Sequence, residues 1–186
     1  MKIAQYTILS IIVFLAGHTA YAEDDETSFD ASLQIAVLDM RGNLGEKPLG
    51  VGGRLGYQLT SLLCLDAGLV HFPEDPSGNF GETLGLGGIR IGKRYEKLGV
   101  FAKARAGGIN FGGRAFNMRL SDRTHAAFDV GAMLEYYAKK NFFARLDIGD
   151  CIIPFGNTTF RSEEGQLMRL ATKHNLLLEL GIGFCF

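Results

Sequence analysis

Beyond the first two dozen residues, apolar side chains recur at every second position, the period of a β-strand whose two faces meet different surroundings. In FDASLQIAV the apolar set is Phe29, Ala31, Leu33, Ile35 and Val37, and in LGVGGRLGYQL it is Leu49, Val51, Leu55, Tyr57 and Leu59. LLCLDAGLV contributes Leu63, Leu65, Ala67 and Leu69. TLGLGGIRIG starts in one phase with Leu84 and Leu86 and ends in the other with Ile89 and Ile91. LGVFAKARAGGINF carries Val100, Ala102, Ala104 and Ala106 before a similar slip at Gly107-Gly108. A change of phase across a glycine pair predicts a β-bulge at Gly87-Gly88 and another at Gly107-Gly108. AAFDVGAMLEYY then places Phe128, Val130, Ala132, Leu134 and Tyr136 on one face, and NFFARLDIGD places Phe142, Ala144, Leu146 and Ile148. The chain closes on NLLLELGIGFCF, with Leu176, Leu178, Leu180, Ile182, Phe184 and Phe186 in phase. Helical spacing is scarce. The pattern predicts an all-β chain of eight strands of about 9–13 residues, the length a tilted strand needs to cross a bilayer.

The connections sort by length. RGNLGEKP, FPEDPSGNFGE, GGRAFNMRLSDRT and residues 150–173 are long, whereas the turns around Thr60-Ser61, in KRYEK and in AKKN are short. Strict alternation of long and short is expected of an up-and-down outer-membrane barrel, with short turns on the periplasmic side and long loops outside. A Greek-key sandwich has no reason to sort its loops in this way.

Between the apolar positions lie Arg54, Asp66, Arg90, Lys103, Arg105, Asp129, Glu135, Arg145, Asp147 and Glu179. Interleaved with them are Gly52, Gly56, Gly68, Gly85, Gly131, Gly149, Gly181 and Gly183. Five cations and five anions on the faces opposite the apolar stripes do not read as a solvated surface, because eight strands close a lumen just wide enough for side chains to fill. Long charged side chains fill such a lumen only in pairs, and glycine makes room for them. Folding the strands about their short turns sets Arg54 nearly opposite Asp66, and Glu135 opposite Arg145. The expectation is a salt-bridge plug. Aromatic residues gather at strand ends, Tyr57, Tyr95, Tyr136, Phe142 and Phe186 at the short turns and Phe72, Phe80 and Phe111 at the long loops. They are expected to form two interfacial girdles.

The N-terminus adds a compartment. Lys2, an apolar run and the A-x-A site at Ala20–Ala22 predict a secretory signal peptide over residues 1–22, leaving 23–186 as one barrel domain. With 19 Lys and Arg against 20 Asp and Glu there is no basic field for nucleic acid. Cys64, Cys151 and Cys185 match no zinc spacing and are expected to pack as small apolar residues, a disulfide being the alternative.

Together these features resemble the small eight-stranded outer-membrane β-barrels of the OmpA/OmpX-like type. The resemblance rests on the signal peptide, the eight alternating segments and the last strand, LLLELGIGFCF. It implies that Leu178, Leu180, Ile182, Phe184 and Phe186 form the C-terminal signal read by the barrel-insertion machinery, and that the protein sits among outer-membrane lipid and lipopolysaccharide. A monomer is expected, with the long loops as the surface for any extracellular partner. The apolar Ile152, Ile153, Phe155 and Phe160 of the fourth long connection are expected to pack over the barrel mouth.

No catalytic centre, cofactor or metal site is expected. Ser121, Asp122 and His125 form the sole serine, acid and histidine grouping, and no His-x-Ser pair stands on a strand. His71, His125 and His174 fall on segments that are not neighbours, which disfavours a shared metal. GVGGRLG and GLGLGGIRIG do not match the dinucleotide-binding fingerprint. The functional expectation is a structural or surface-interaction barrel; a small passive pore and a lipid-A-modifying enzyme are the alternatives.

Overall fold

The computed structural model describes residues 29–40, 47–73, 81–112, 123–156, 159–161, 167–169 and 172–186. The expected signal peptide, together with Phe80, Ser121 and Asp122, lies outside them. The described residues form ten strands: β1 (Phe29–Asp39), β2 (Leu49–Gln58), β3 (Leu63–Phe72), β4 (Glu82–Arg94), β5 (Leu98–Phe111), β6 (Thr124–Lys139), β7 (Phe142–Ile153), β8 (Thr159–Arg161), β9 (Leu167–Arg169) and β10 (Lys173–Cys185). Eight of them form one closed antiparallel barrel in the order β1-β10-β7-β6-β5-β4-β3-β2. The short β8 and β9 pair with each other within the last long connection, a hairpin that the alternation pattern does not disclose.

Closure fixes the tilt. Followed from partner to partner, Asp39 leads through Leu176, Asp150, Val130, Ala104, Ile89, Leu65 and Tyr57 back to β1 at Phe29. The circuit returns ten residues below its start on the same strand. A stagger of that size in eight strands inclines them by about 40° to the barrel axis.

The outer wall is apolar and exposed. Leu33, Ile35, Val51, Leu55, Leu69, Val100, Val130, Leu146, Leu180 and Ile182 all face outward with roughly half or more of their surface open. On β1 and β10 this run spans eight residue steps, Phe29 to Val37 and Leu176 to Phe184. At the strand rise and tilt above, that is a belt about 20 Å high, of the order of the ~25 Å band of outer-membrane barrels. Aromatic rings border its short-turn end. Phe29 packs on Tyr57 at 4.6 Å between ring centres and Phe142 on Phe184 at 5.1 Å. Tyr95, Tyr136 and Phe186 are exposed beside them. Outward polar side chains border the long-loop end: His71 Nδ1 meets Thr83 Oγ1 at 3.0 Å, and Asn110 Nδ2 donates to Thr124 Oγ1 at 2.7 Å. Lys47 there pairs with Asp39 at 3.2 Å. Leu180, midway up the belt on β10, gives a direct test. Leu180→Arg is expected to cost about 2–4 kcal/mol of unfolding free energy in lipid vesicles. A loss below half a kcal/mol would mean that the belt faces water.

Three expectations are corrected. First, neither glycine pair is a bulge: pairing runs without a shift through Gly87-Gly88 and Gly107-Gly108 on both sides of β4 and β5. The irregularity in the barrel lies at Tyr137/Lys139, beside the β6–β7 turn. Second, Leu84 and Leu86 point inward with Arg90, and Gly85 therefore faces outward. The strand keeps its phase, and what changes is the lumen, from charged to apolar along its length. Third, Phe72 and Phe111 are buried in the lumen, so they do not form an outer girdle.

Candidate functional site: the filled lumen

All ten charged residues singled out in the sequence are inward-facing and at most 4 % exposed. They fall into two groups, and the closed barrel rather than the strand pairing selects their partners. The group nearer the short turns is a quartet of Asp30, Arg90, Glu135 and Arg145. Glu135 and Arg145 are register partners on β6 and β7, as turn counting predicts. Arg145 Nε donates to Glu135 Oε1 at 2.7 Å and its Nη2 to Asp30 Oδ1 at 2.9 Å. Arg90 reaches across from β4 to Asp30 and, at 2.9 Å, to Glu135. The Tyr137 hydroxyl donates to the other Glu135 oxygen. Two cations and two anions close a neutral ring, and Arg145 lies over the Phe143 ring at 4.7 Å. Asp30 is the member that the sequence reading missed. It stands one residue into β1, next to an acidic lead-in, but its parity with Ser32 and Gln34 places it inside.

The central group holds Arg54, Lys103 and Arg105 against Asp66, Asp129, Asp147 and Glu179. Arg54 Nη1 donates to Asp147 Oδ2 at 2.8 Å and its Nη2 to Glu179. Arg105 joins Asp129 at 2.7 Å and Glu179 at 2.8 Å, and Lys103 joins Asp129 at 2.7 Å and also Asp147. Gln34 donates to Glu179 at 2.7 Å. Arg54 and Asp66 are near but not direct register partners: Arg54 stands opposite Gly68, and Asp66 opposite Gly56, two residues apart along each strand. The two meet diagonally at 3.6 Å, outside hydrogen-bond range, and neither Asp66 oxygen has a hydrogen bond among the described residues. The central group thus carries one acid more than its cations, where the sequence count was even. Glycine provides the space. A methyl on Gly149 would overlap an Asp129 oxygen, and one on Gly56 would overlap Asp30.

Above the charges, toward the long loops, the lumen is mainly apolar, with the polar Glu82, His125 and Asn175 buried among the apolar side chains. Leu38, Met40, Val70, Phe72, Leu84, Leu86, Ile109, Phe111, Ile153 and Leu177 form one buried cluster. Phe155 folds in from beyond β7 and stacks on Phe111 at 5.9 Å, with the His125 ring 4.8 Å from it. Ile153 and Phe155 thus pack in the mouth, whereas Ile152 shares the outward face of Ile148 and Asp150; the side chain of Phe160 lies outside the described residues. A sequence signal for this plug exists. Strand ends near the long loops are apolar on both faces, as in Val37-Leu38 and Leu176-Leu177-Leu178.

Other candidates scatter. His71 and His174 face outward and His125 inward. No group of three metal-binding side chains occurs among the described residues. Cys64 and Cys151 are buried, Cys185 is partly so, and all three are free thiols. The C-terminal set Leu178, Leu180, Ile182, Phe184 and Phe186 lies on the outer face, and the Phe186 N–H donates to Phe29 O at 2.8 Å across the β1–β10 seam.

No protein-family model matches the chain, and no curated protein matches it in sequence. Solved structures do match in shape. The N-terminal β-barrel domain of Pseudomonas aeruginosa OprF aligns over 84% of this chain and 97% of its own, with TM-score 0.52 and 18% identity. The outer membrane protein OprG of the same organism aligns over 86% of this chain and 96% of its own, with TM-score 0.52 and 11% identity. At such identities it is the architecture that is shared.

Proposed function

From a chain with the fold of the small eight-stranded outer-membrane β-barrels, we propose an integral outer-membrane protein with a closed lumen. Its role is structural or one of surface interaction, carried by the outer wall and the long loops. The observation that carries this reading is the double filling of the lumen, ion pairs across the lower and central cross-section and an apolar plug above them. An aqueous path through eight strands would have to displace both, and barrels of this width have no spare cross-section.

In this reading residues 1–22 direct export and are removed. The short turns face the periplasm and the long loops the exterior. The insertion machinery reads Leu178, Leu180, Ile182, Phe184 and Phe186 on the strand that also closes the barrel. The outer wall contacts lipid and lipopolysaccharide. Because every barrel strand has two neighbours, no open sheet edge calls for a second copy, and the protein acts as a monomer. It has no catalytic role.

Two measurements test the proposal. Purified protein in planar bilayers is expected to give no stable conductance steps, and reproducible steps would replace the closed barrel with a passive pore. Outer-membrane fractionation with a heat-modifiability gel is expected to show a membrane-borne band that shifts on boiling. An unshifted band in the soluble periplasm would overturn the membrane assignment.

A further inference from the structure

One polar pair breaks the apolar wall. Asp150 on β7 and His174 on β10 both face outward and are about half or more exposed, and His174 Nδ1 lies 2.7 Å from Asp150 Oδ2. A carboxylate only accepts, so Nδ1 carries the proton and Nε2 points away from the pair. Asp150 is set deeper than the other outward polar groups. Its register partner on β6 is Val130, and above Val130 the apolar Phe128 and Ala126 still face outward before Thr124 is reached. By the stagger of the barrel it sits two to three residues below the level of Asp39. A furrow of about 440 Å³ opens in the wall beside it, floored by Val130, Ala132, Ile148 and Leu176 and headed by Asp150 and His174. The furrow runs over the backbone where Gly131 and Gly149 are register partners, and the small Ala132 leaves it open on the outer face.

We propose that this furrow seats one acyl chain of lipid A, the N-acylated and hydroxyacylated anchor of lipopolysaccharide. The proposal rests on the membrane reading above, with the long loops outward. The choice of lipid follows from the donors it offers. The depth of Asp150 is that of the ester region of a glycerophospholipid, which presents acceptors alone, and a carboxylate there gains nothing. Lipid A presents amide N–H and hydroxyl groups at that depth, which a carboxylate accepts. His174 holds the carboxylate in place and turns Nε2 toward the lipid's polar end.

Native mass spectrometry of the purified full-length barrel tests this, with hexa-acylated lipid A and phosphatidylethanolamine added in separate titrations. Wild type is expected to retain lipid A about tenfold more strongly than phosphatidylethanolamine, and Asp150→Ala to lose that preference, the worth of one charge-assisted hydrogen bond. Ala132→Trp, on the lipid face where folding tolerates bulk, is expected to fill the furrow and reduce retention equally. A heat-modifiability gel verifies that each variant is folded. Folded variants that retain lipid A like wild type overturn the furrow, as does equal retention of the two lipids by wild type. A wild-type chain that fails to insert into vesicles overturns the membrane reading and the furrow with it.

Discussion

Glu135→Ala is expected to destabilise the barrel by about 3–5 kcal/mol, read as the shift in urea midpoint for equilibrium unfolding from lipid vesicles. Glu135 is 1 % exposed, and its two oxygens accept from Arg90, Arg145 and Tyr137. Without it, two buried guanidinium groups share Asp30 alone. The loss comes from stranding charge rather than from deleting an attraction, and a second variant separates the two. Glu135→Met combined with Arg145→Met leaves Asp30 and Arg90 as one neutral pair in a volume still filled. The double variant is therefore expected to be more stable than Glu135→Ala. If it proves less stable, the quartet contributes through favourable pairing and the desolvation argument is wrong.

Phe111→Ala is expected to cost a similar amount, about 3–5 kcal/mol, because it empties the middle of the apolar plug. Phe111 is 1 % exposed and touches both Phe155 and His125. Phe128 is the control. It is 46 % exposed on the outer wall, so removing its ring leaves a gap that lipid can fill. In the same vesicle unfolding assay Phe128→Ala is expected to cost far less. Equal losses would return Phe111 to the interfacial girdle that its place in the sequence suggested.

The two variants also divide what could be read locally from what could not. Glu135 and Arg145 were legible as near neighbours because a short turn joins their strands and parity sets the face, and the register shift at Tyr137/Lys139 brings them directly opposite. Arg54 and Asp66 sit across a longer turn, and their near-opposition resolves into a diagonal with an offset of two residues. The partners that hold Arg54 best, Asp147 and Glu179, lie 93 and 125 residues away, on strands reached only across the lumen. Turn counting has no access to them. Leu84, Leu86 and Phe111 depart from the local pattern for a related reason. Local pattern assigns an apolar residue at a strand end to the lipid face and a glycine pair beside it to a bulge. Parity with Arg90 and Arg105 gives the correct face.

The sequence by itself determined the all-β class, the number of barrel strands, the inward face of the ten charges and the sorting of short turns from long loops. These follow from periodicity and loop length, which are properties of neighbouring residues. Only the tertiary structure decided which charges meet, that Asp66 reaches Arg54 without a hydrogen bond, that an apolar cluster fills the upper lumen, and that Asp150 with His174 lies beside a furrow in the wall. Each of these depends on the ten-residue stagger with which the sheet closes. That stagger sets the height of every side chain relative to those on the other strands, and no stretch of chain shorter than the whole barrel encodes it.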